Sequence, residues 1–336
     1  MNKRLINWLR EWMLAIAIAA GVGIYLLYHA VPAFHVAGPA LKVAASWLQP
    51  GLLFIMLFLS LCRVSPREIR PHRWQIKPLL TQCLVFIGFA LLLIGARTLE
   101  GGFWQWIGRH EIFLQALMLC FITPTANSCV VVTGKLGGEV SECITYIIFI
   151  NLISSVLIPV FLPLAYPVEG LSFGAAMLKI LYKVFPILIA PLLLAMAVRA
   201  WMPRTLAWVL RHPDLPFYLW SVLLVISIGL ATRVVVLFEG SMWVLLELAG
   251  AALLACFIQF ALGHRFGKKY DRRVTAGQSL GQKNTSFTMW LGLTFLNPVV
   301  SAVGGFYSIC HNLYNTMQLR RHAHRQAAHG LSPEQE

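Results

Sequence analysis

Apolar runs of roughly 18 to 25 residues, separated by short polar breaks, recur from end to end of this chain of 336 residues. Each is long enough to cross a hydrocarbon core of about 30 Å. The composition agrees: 58% of residues are hydrophobic and only 12% charged, too little polar surface to cover a fold in water. A segment in lipid must satisfy its own backbone hydrogen bonds, so the runs are helices; the alternating pattern of barrel strands is missing. The expected fold is an all-α integral membrane protein of ten transmembrane helices, over 13–31, 43–62, 78–97, 112–133, 143–166, 175–198, 216–233, 241–263, 275–296 and 298–318.

Charge sorts the loops by side, because segments rich in Lys and Arg stay in the cytoplasm during insertion. Lys3, Arg4 and Arg10 precede the first run, and Arg63, Arg67, Arg70, Arg73 and Lys77 follow the second. Lys135, then Arg199, Arg204 and Arg211, follow the fourth and sixth; Arg265, Lys268, Lys269, Arg272 and Arg273 follow the eighth; Arg320, Arg321 and Arg325 follow the tenth. The opposite loops hold only Lys42, Arg97, Arg109 and Arg233. Both termini are thus expected in the cytoplasm, in a multi-pass protein of the cell (inner) membrane with a cytoplasmic tail over 319–336. The net charge of +14 then reflects topology and not a nucleic-acid partner. A basic N-terminus before an apolar stretch also fits a cleavable signal peptide; the length of the stretch and the charge parity favour a retained span. The cysteines (Cys62, Cys83, Cys120, Cys129, Cys143, Cys256, Cys310) lie in or at the ends of apolar runs without a C-x-x-C pair, and read as packing residues. No cofactor is expected.

Five spans per half would make a duplicated second half enter the membrane upside down, as in many carriers. The fourth and ninth spans occupy corresponding places, and both are interrupted. In the fourth, Pro124 removes a helix hydrogen bond and clashes with the preceding turn, amid Thr123, Thr125, Asn127 and Ser128. In the ninth, Gln278, Ser279, Gly281, Gln282, Lys283, Asn284, Thr285 and Ser286 form a polar tract inside an apolar stretch. Freed carbonyls and half-helix ends at membrane depth make ready ligands for ions or carboxylates. Lys283 would cost roughly 2.5 to 3.5 kcal/mol facing lipid at a helix centre, so it belongs in the interior with partners. Ser141 and Thr145 share one face of the fifth span. Gln82, Glu247, Gln259, His311, Asn312 and Asn315 are further intramembrane polar groups, each readable as structural glue. Trp104, Trp106, Trp220, Trp243 and Trp290 read as interfacial belts and packing.

These residues resemble the bile acid:sodium symporter superfamily. The likeness covers most of the chain in span number and topology. It is specific in Pro124-Thr125-Ala126-Asn127-Ser128 followed by Ser141 and Thr145, in Gly281-x-x-Asn284 leading toward His311-Asn312, and in Gln82. It implies two inverted five-helix repeats, with a panel domain over about 13–62 and 175–233 and a core domain over about 78–166 and 241–318. The fourth and ninth helices would be broken, at Pro124 and Gly281, and cross in the core, with an organic anion bound between the domains. Asn127, Ser128, Ser141 and Thr145 would be counterparts of one sodium site and Gln82 of the other, with Thr125, Asn284 and Lys283 touching substrate.

The family's ninth-span pattern, E-x-G-x-Q-N, reads here Ser279-Leu280-Gly281-Gln282-Lys283-Asn284. The acid that ligates both sodium ions becomes Ser279 and the glutamine of the second site becomes Lys283, a change of two charge units. An ammonium about 4 Å from a sodium ion repels it by roughly 4 kcal/mol at an effective dielectric near 20, on the order of a thousandfold in affinity. The second sodium site is therefore expected to be absent and the first weakened. The expected function is secondary transport of small organic anions by alternating access, sodium-independent with the Lys283 ammonium in the place of a sodium ion, or proton-coupled if that desolvated lysine loads and releases a proton. A sodium symporter retaining one weakened site and a non-transporting ligand sensor are the alternatives. An enzyme would need paired carboxylates, a His cluster or a nucleophile beside a base, and a channel would need a filter or polar ring; neither is evident.

Overall fold

The structure is a computed structural model that describes residues 3–63, 69–167, 169–212 and 215–328, with side chains from Ile16 to Arg325 except those of Phe217 and Ala323. Arg67, the tail from 329 to 336, and the side chains of Lys3, Arg4 and Arg10 lie outside the described residues. Within them the chain is helical throughout: α1 (Lys3–Ala30), α2 (Gly38–Leu61), α3 (Arg73–Thr98), α4 (Gly102–Arg109), α5 (Glu111–Ile122), α6 (Ser128–Lys135), α7 (Val140–Ala165), α8 (Phe173–Leu188), α9 (Ala190–Trp201), α10 (Pro203–Arg211), α11 (Leu215–Val236), α12 (Met242–Lys268), α13 (Arg273–Gly281), α14 (Thr285–Phe295) and α15 (Ala302–Ala328). Five stretches, Pro32–Leu61, α3, α7, Tyr218–Val236 and α12, are each long and apolar enough to cross a bilayer, and α8 with α9 makes a sixth.

Helices cover the expected segments, though only the five stretches named and the α8–α9 pair are long and apolar enough to count as spans, and other differences are informative. The 112–133 segment is two helices, α5 and α6, separated at Thr123–Asn127, and the 275–296 segment is α13 and α14, separated at Gln282–Asn284. Gly281 is the last residue of α13, so the break begins one residue later than expected. The 175–198 segment, expected as one span, bends by 42° between α8 and α9. Pro191, at the start of α9, brings no N–H to the hydrogen bonds across the junction. The amphipathic connectors α4 and α10 were not anticipated, because each is too short for a spanning pattern, and α15 runs past 318 to Ala328.

Two sets of neighbours emerge. α11 packs on α1 and α2, and α2 also packs on α8 and α9; elsewhere α12 packs on α5, α13 and α15, and α3 on α5 and α7. Buried side chains such as Leu53, Phe86, Met118, Ile122, Phe287 and Tyr307 join the apolar centre. Large apolar residues such as Leu84, Leu91, Leu253 and Phe257 point outward, as a bilayer requires.

At the basic end of the bundle, Glu142 in the first turn of α7 is buried and clamps three elements. It accepts from Trp74 Nε1 of α3 (2.5 Å) and from Arg272 Nε in the α12–α13 turn (2.9 Å), and its backbone carbonyl accepts from Gln75 Nε2 (2.9 Å). The Arg272 guanidinium also reaches Glu139 (3.7 Å). The hydrogen bond and charge of Glu142 hold its pKa above the ordinary arginine value.

α13 lies unusually close to α12. A Cβ added at Gly263 would sit 2.5 Å from the carbonyl oxygen of Ala276, a backbone atom that cannot step aside. Gly263→Ala is therefore expected to destabilise by about 1–3 kcal/mol through overpacking, read as a lowered Tm in detergent; an unchanged Tm would contradict this packing.

Candidate functional site

The site grows out of what the two breaks do to backbone hydrogen bonding. Each gap releases carbonyls from the preceding half-helix and N–H groups from the following one, in a region without bulk water. Part of the solution is mutual. Thr125 and Lys283 pair as an isolated antiparallel bridge: Ala126 N–H donates to Gln282 O (3.2 Å) and Asn284 N–H to Pro124 O (2.9 Å). The two breaks thus cross and finish each other's backbone. Side chains reinforce the contact, with Thr125 Oγ1 donating to Ser279 O (2.6 Å), Ser128 Oγ to Gln282 Oε1 (2.9 Å) and Thr288 Oγ1 to Thr123 Oγ1 (3.0 Å).

The remaining carbonyls are met by donors from surrounding helices. In the last turn of α5, Cys120 O accepts from Gln259 Nε2 of α12 (3.2 Å), Phe121 O from Gln82 Nε2 of α3 (2.8 Å) and Ile122 O from Ser154 Oγ of α7 (2.8 Å). At the end of α13, Gly281 O accepts from Tyr307 Oη of α15 (2.8 Å). Gln82 is fully buried and its Oε1 also accepts from Tyr146 Oη, so both ends of its amide are engaged.

Lys283 is 1% exposed, and its Nζ has no hydrogen-bond partner among the described residues. Its backbone N–H donates to His311 Nδ1 (3.4 Å). The buried Asn127 Nδ2 likewise has no partner among the described residues, whereas Ser279 lies within hydrogen-bonding reach of the Cys129 and Cys143 thiols. Asn284 caps α14 by accepting from Phe287 N–H (3.2 Å). Thr145 is buried, with its hydroxyl donating to Ser141 O (3.0 Å), whereas Ser141 is exposed in the first turn of α7. Thr125 turns its hydroxyl into the crossing.

Two spaces meet here. A crevice of about 270 Å³ runs from Arg63 and Lys135 at the basic end, between Met56, Ser60 and Trp220 on one side and Asn127, Ser128, Ile147 and Asn312 on the other. Deeper, a cavity of about 10 Å³, room for roughly one water, is lined by Asn127, Ser128, Lys283, Asn284, Ser286 and His311. Met56, Asn127, Ser128 and Trp220 line both. The N-terminal ends of α6 and α14 open toward the deep cavity, and helix N-termini favour anions.

Sequence reasoning found Gln82, Gln259, Asn127, Ser128, Lys283 and Asn284, and it missed several partners. Ser154 and Tyr307 are single residues in apolar runs with nothing in their spacing to mark them. Gln49 in α2 donates to Ser227 Oγ and to Ser286 O (both 3.2 Å), tying α2 and α11 to the start of α14; a glutamine beside Pro50 within an apolar span was the available signal. Trp220, read as belt or packing, packs against two apolar clusters and also lines the crevice. Cys129 and Cys143, read as separate packing residues, place their sulphurs 2.9 Å apart. A chain of amides also leaves the crossing: Gln282 Nε2 donates to Gln278 Oε1 (2.5 Å), Gln278 Nε2 to Gln318 Oε1 (2.5 Å) and Gln318 Nε2 to Tyr314 Oη (3.1 Å). Glu247 stands apart, in a pocket with Arg97, Arg109 and Glu111.

The sequence model of the SBF-like CPA transporter family matches residues 12–320, nearly the whole chain. The chain belongs to this family. The match is consistent with the resemblance to the bile acid:sodium symporter superfamily over residues 12–320, and this SBF-like protein is a multi-pass membrane transporter. No curated protein matches the chain.

In this SBF-like transporter the carbonyl-capping side chains carry the load of the breaks. Gln82→Leu would leave Phe121 O and Tyr146 Oη without their partner, at about 1–3 kcal/mol for stranded buried groups. The expected outcome is a clearly lowered Tm in detergent, and a variant as stable as the parent would contradict this role.

Proposed function

We propose that this transporter carries small organic anions by alternating access without sodium, with Lys283 as a built-in cation at the crossing of its two discontinuous helices. The observation that carries the reading is the crevice itself. It narrows from Arg63 and Lys135 to a base formed by Asn127, Asn284, His311 and the wholly enclosed Lys283. Its walls come from α2 and α11 on one side and α6, α7 and α15 on the other. That division supports a panel domain over 13–62 and 175–233 and a core domain over 78–166 and 241–318, built as two inverted five-helix repeats. The charge bias of the loops puts the basic end and both termini in the cytoplasm of a cell membrane, so the crevice is the inward-facing entrance.

The chemistry of the base favours a carboxylate or similar group. Two half-helix N-termini, the Asn127 amide and Lys283 converge near the deep cavity, and an anion reaching it would supply what the buried ammonium lacks. The carrier cycle then follows from partnership: the core helices move past the panel helices with the anion neutralising Lys283. No carboxylate stands at Ser279 to gather a sodium ion, and the ammonium opposes one. The crossing is held by backbone and hydroxyl contacts, which need no soluble cation. Thr125, with its hydroxyl bonded to Ser279 O, belongs to that frame, and Asn284 and Lys283 to the binding surface.

A proton-coupled form of the same mechanism is favoured by the seclusion of Lys283, which has no ion-pair partner among the described residues. It predicts that an inward proton gradient drives accumulation, whereas a uniporter only equilibrates its substrate. Retention of one weakened sodium site would instead make uptake rise with external sodium.

The first test is a thermal-shift screen of organic acids on the purified protein, followed by uptake and counterflow of a stabilising acid in liposomes. Replacing sodium with choline is expected to leave uptake within about twofold. Lys283→Met is expected to keep or raise the Tm while weakening anion-dependent stabilisation by at least about tenfold, one lost charge-assisted contact. Steep sodium dependence that survives Lys283→Met would overturn the proposal.

A further inference from the structure

A second pocket, unrelated to the crossing, opens on the outer surface of the bundle at its basic end. It measures about 320 Å³ and is lined by Lys77 of α3, Leu262, Arg265 and Phe266 of α12, and Lys269 and Tyr270 of the turn that follows. Three cations thus face one space, and no carboxylate lines it. The buried carboxylate nearest in this part of the fold, Glu142, is already committed to Arg272 and Trp74. Lys77, Arg265 and Lys269 are exposed and have no ion pair among the described residues. Insertion anchors alone would spread over the loops; these three come from two helices and a turn and close around a concavity.

What the pocket leads into decides its ligand. Toward the middle of the bilayer it continues as a seam between α3 and α12, which pack against each other. On α3 the residues one and two turns beyond Lys77 are Leu80 and Leu84, and on α12 those before Arg265 are Ala261 and Phe257; all are exposed, Leu84 at 65% and Phe257 at 71%. A cationic cup at one end of a lipid-facing apolar seam matches a molecule with an anionic head and long apolar tails. We propose that this pocket binds the phosphate headgroup of an anionic phospholipid, whose acyl chains lie along the α3–α12 seam. Phosphate esters dissolved in water share the headgroup chemistry, but only a lipid uses the seam. Tyr270 also packs against the Trp74–Tyr146 cluster beneath α13. A bound headgroup would therefore brace the turn leading into the broken ninth segment.

The test uses the full chain in neutral detergent, with native mass spectrometry and Tm titrations against phosphatidylglycerol, phosphatidylcholine and glycerophosphate. Phosphatidylglycerol is expected to remain bound and raise the Tm, with the other two giving little effect. The triple variant K77Q/R265Q/K269Q should weaken phosphatidylglycerol binding by about a hundredfold, from three juxtamembrane charges. R320Q/R321Q/R325Q removes the same charge from the end of α15 and should change binding by no more than a few-fold. If the pocket triple variant does not purify, Arg265→Gln alone should weaken binding about fivefold. The proposal is overturned if the pocket variants hold phosphatidylglycerol as tightly as the parent, if the α15 variant loses as much, or if phosphatidylcholine or glycerophosphate reproduces the effect.

Discussion

Every backbone carbonyl released in hydrocarbon must find a donor within the protein, and this constraint organises the molecule. A break in one spanning helix strands several carbonyls, each at a cost of several kcal/mol if left bare. Here the break at Thr123–Asn127 and that at Gln282–Asn284 settle part of the debt by pairing with each other. The rest falls to Gln82, Ser154, Gln259 and Tyr307, which reach in from four different helices. Those helices are consequently committed to positions around the crossing, and the packing of the surrounding bundle follows.

The same arrangement sets the electrostatics. Half-helix ends carry partial charges of about half a unit, positive at N-termini and negative at C-termini. This chain meets the freed carbonyls with neutral amides and hydroxyls. Lys283 has no ion pair with a carboxylate among the described residues. Ser128, Lys283 and Asn284 both hold the crossing together and line the space beside it.

The contacts leaving the crossing suggest how its state reaches the surface. The amides of Gln282, Gln278 and Gln318 form an unbroken ladder toward Tyr314 near the basic end of α15. On the panel side, Gln49 touches both Ser227 and the carbonyl of Ser286. Gln49 thus joins α2 to both α11 and the start of α14. Near the basic end, the Glu142–Arg272 clamp ties the starts of α7 and α13 to α3.

Much of this was legible from residue order. Runs of apolar residues at bilayer length dictate helices, because lipid leaves the backbone no other partner, and Lys and Arg sort the loops by side. Pro124 and the polar tract around Lys283 marked the breaks for the same reason: neither survives inside a lipid-facing helix. The bend between α8 and α9, the Cys129–Cys143 contact, the roles of Ser154, Tyr307 and Gln49, and the choice of Trp220 as a crevice wall were not legible. Each depends on which distant residue lies opposite, and pairings such as Thr125 with Lys283 span more than a hundred positions. By itself the sequence determined solvent, helices and break points, since these follow from local hydropathy and backbone chemistry; only the tertiary structure decided which groups complete one another and which remain unpaired for a ligand, since that is a matter of three-dimensional neighbours.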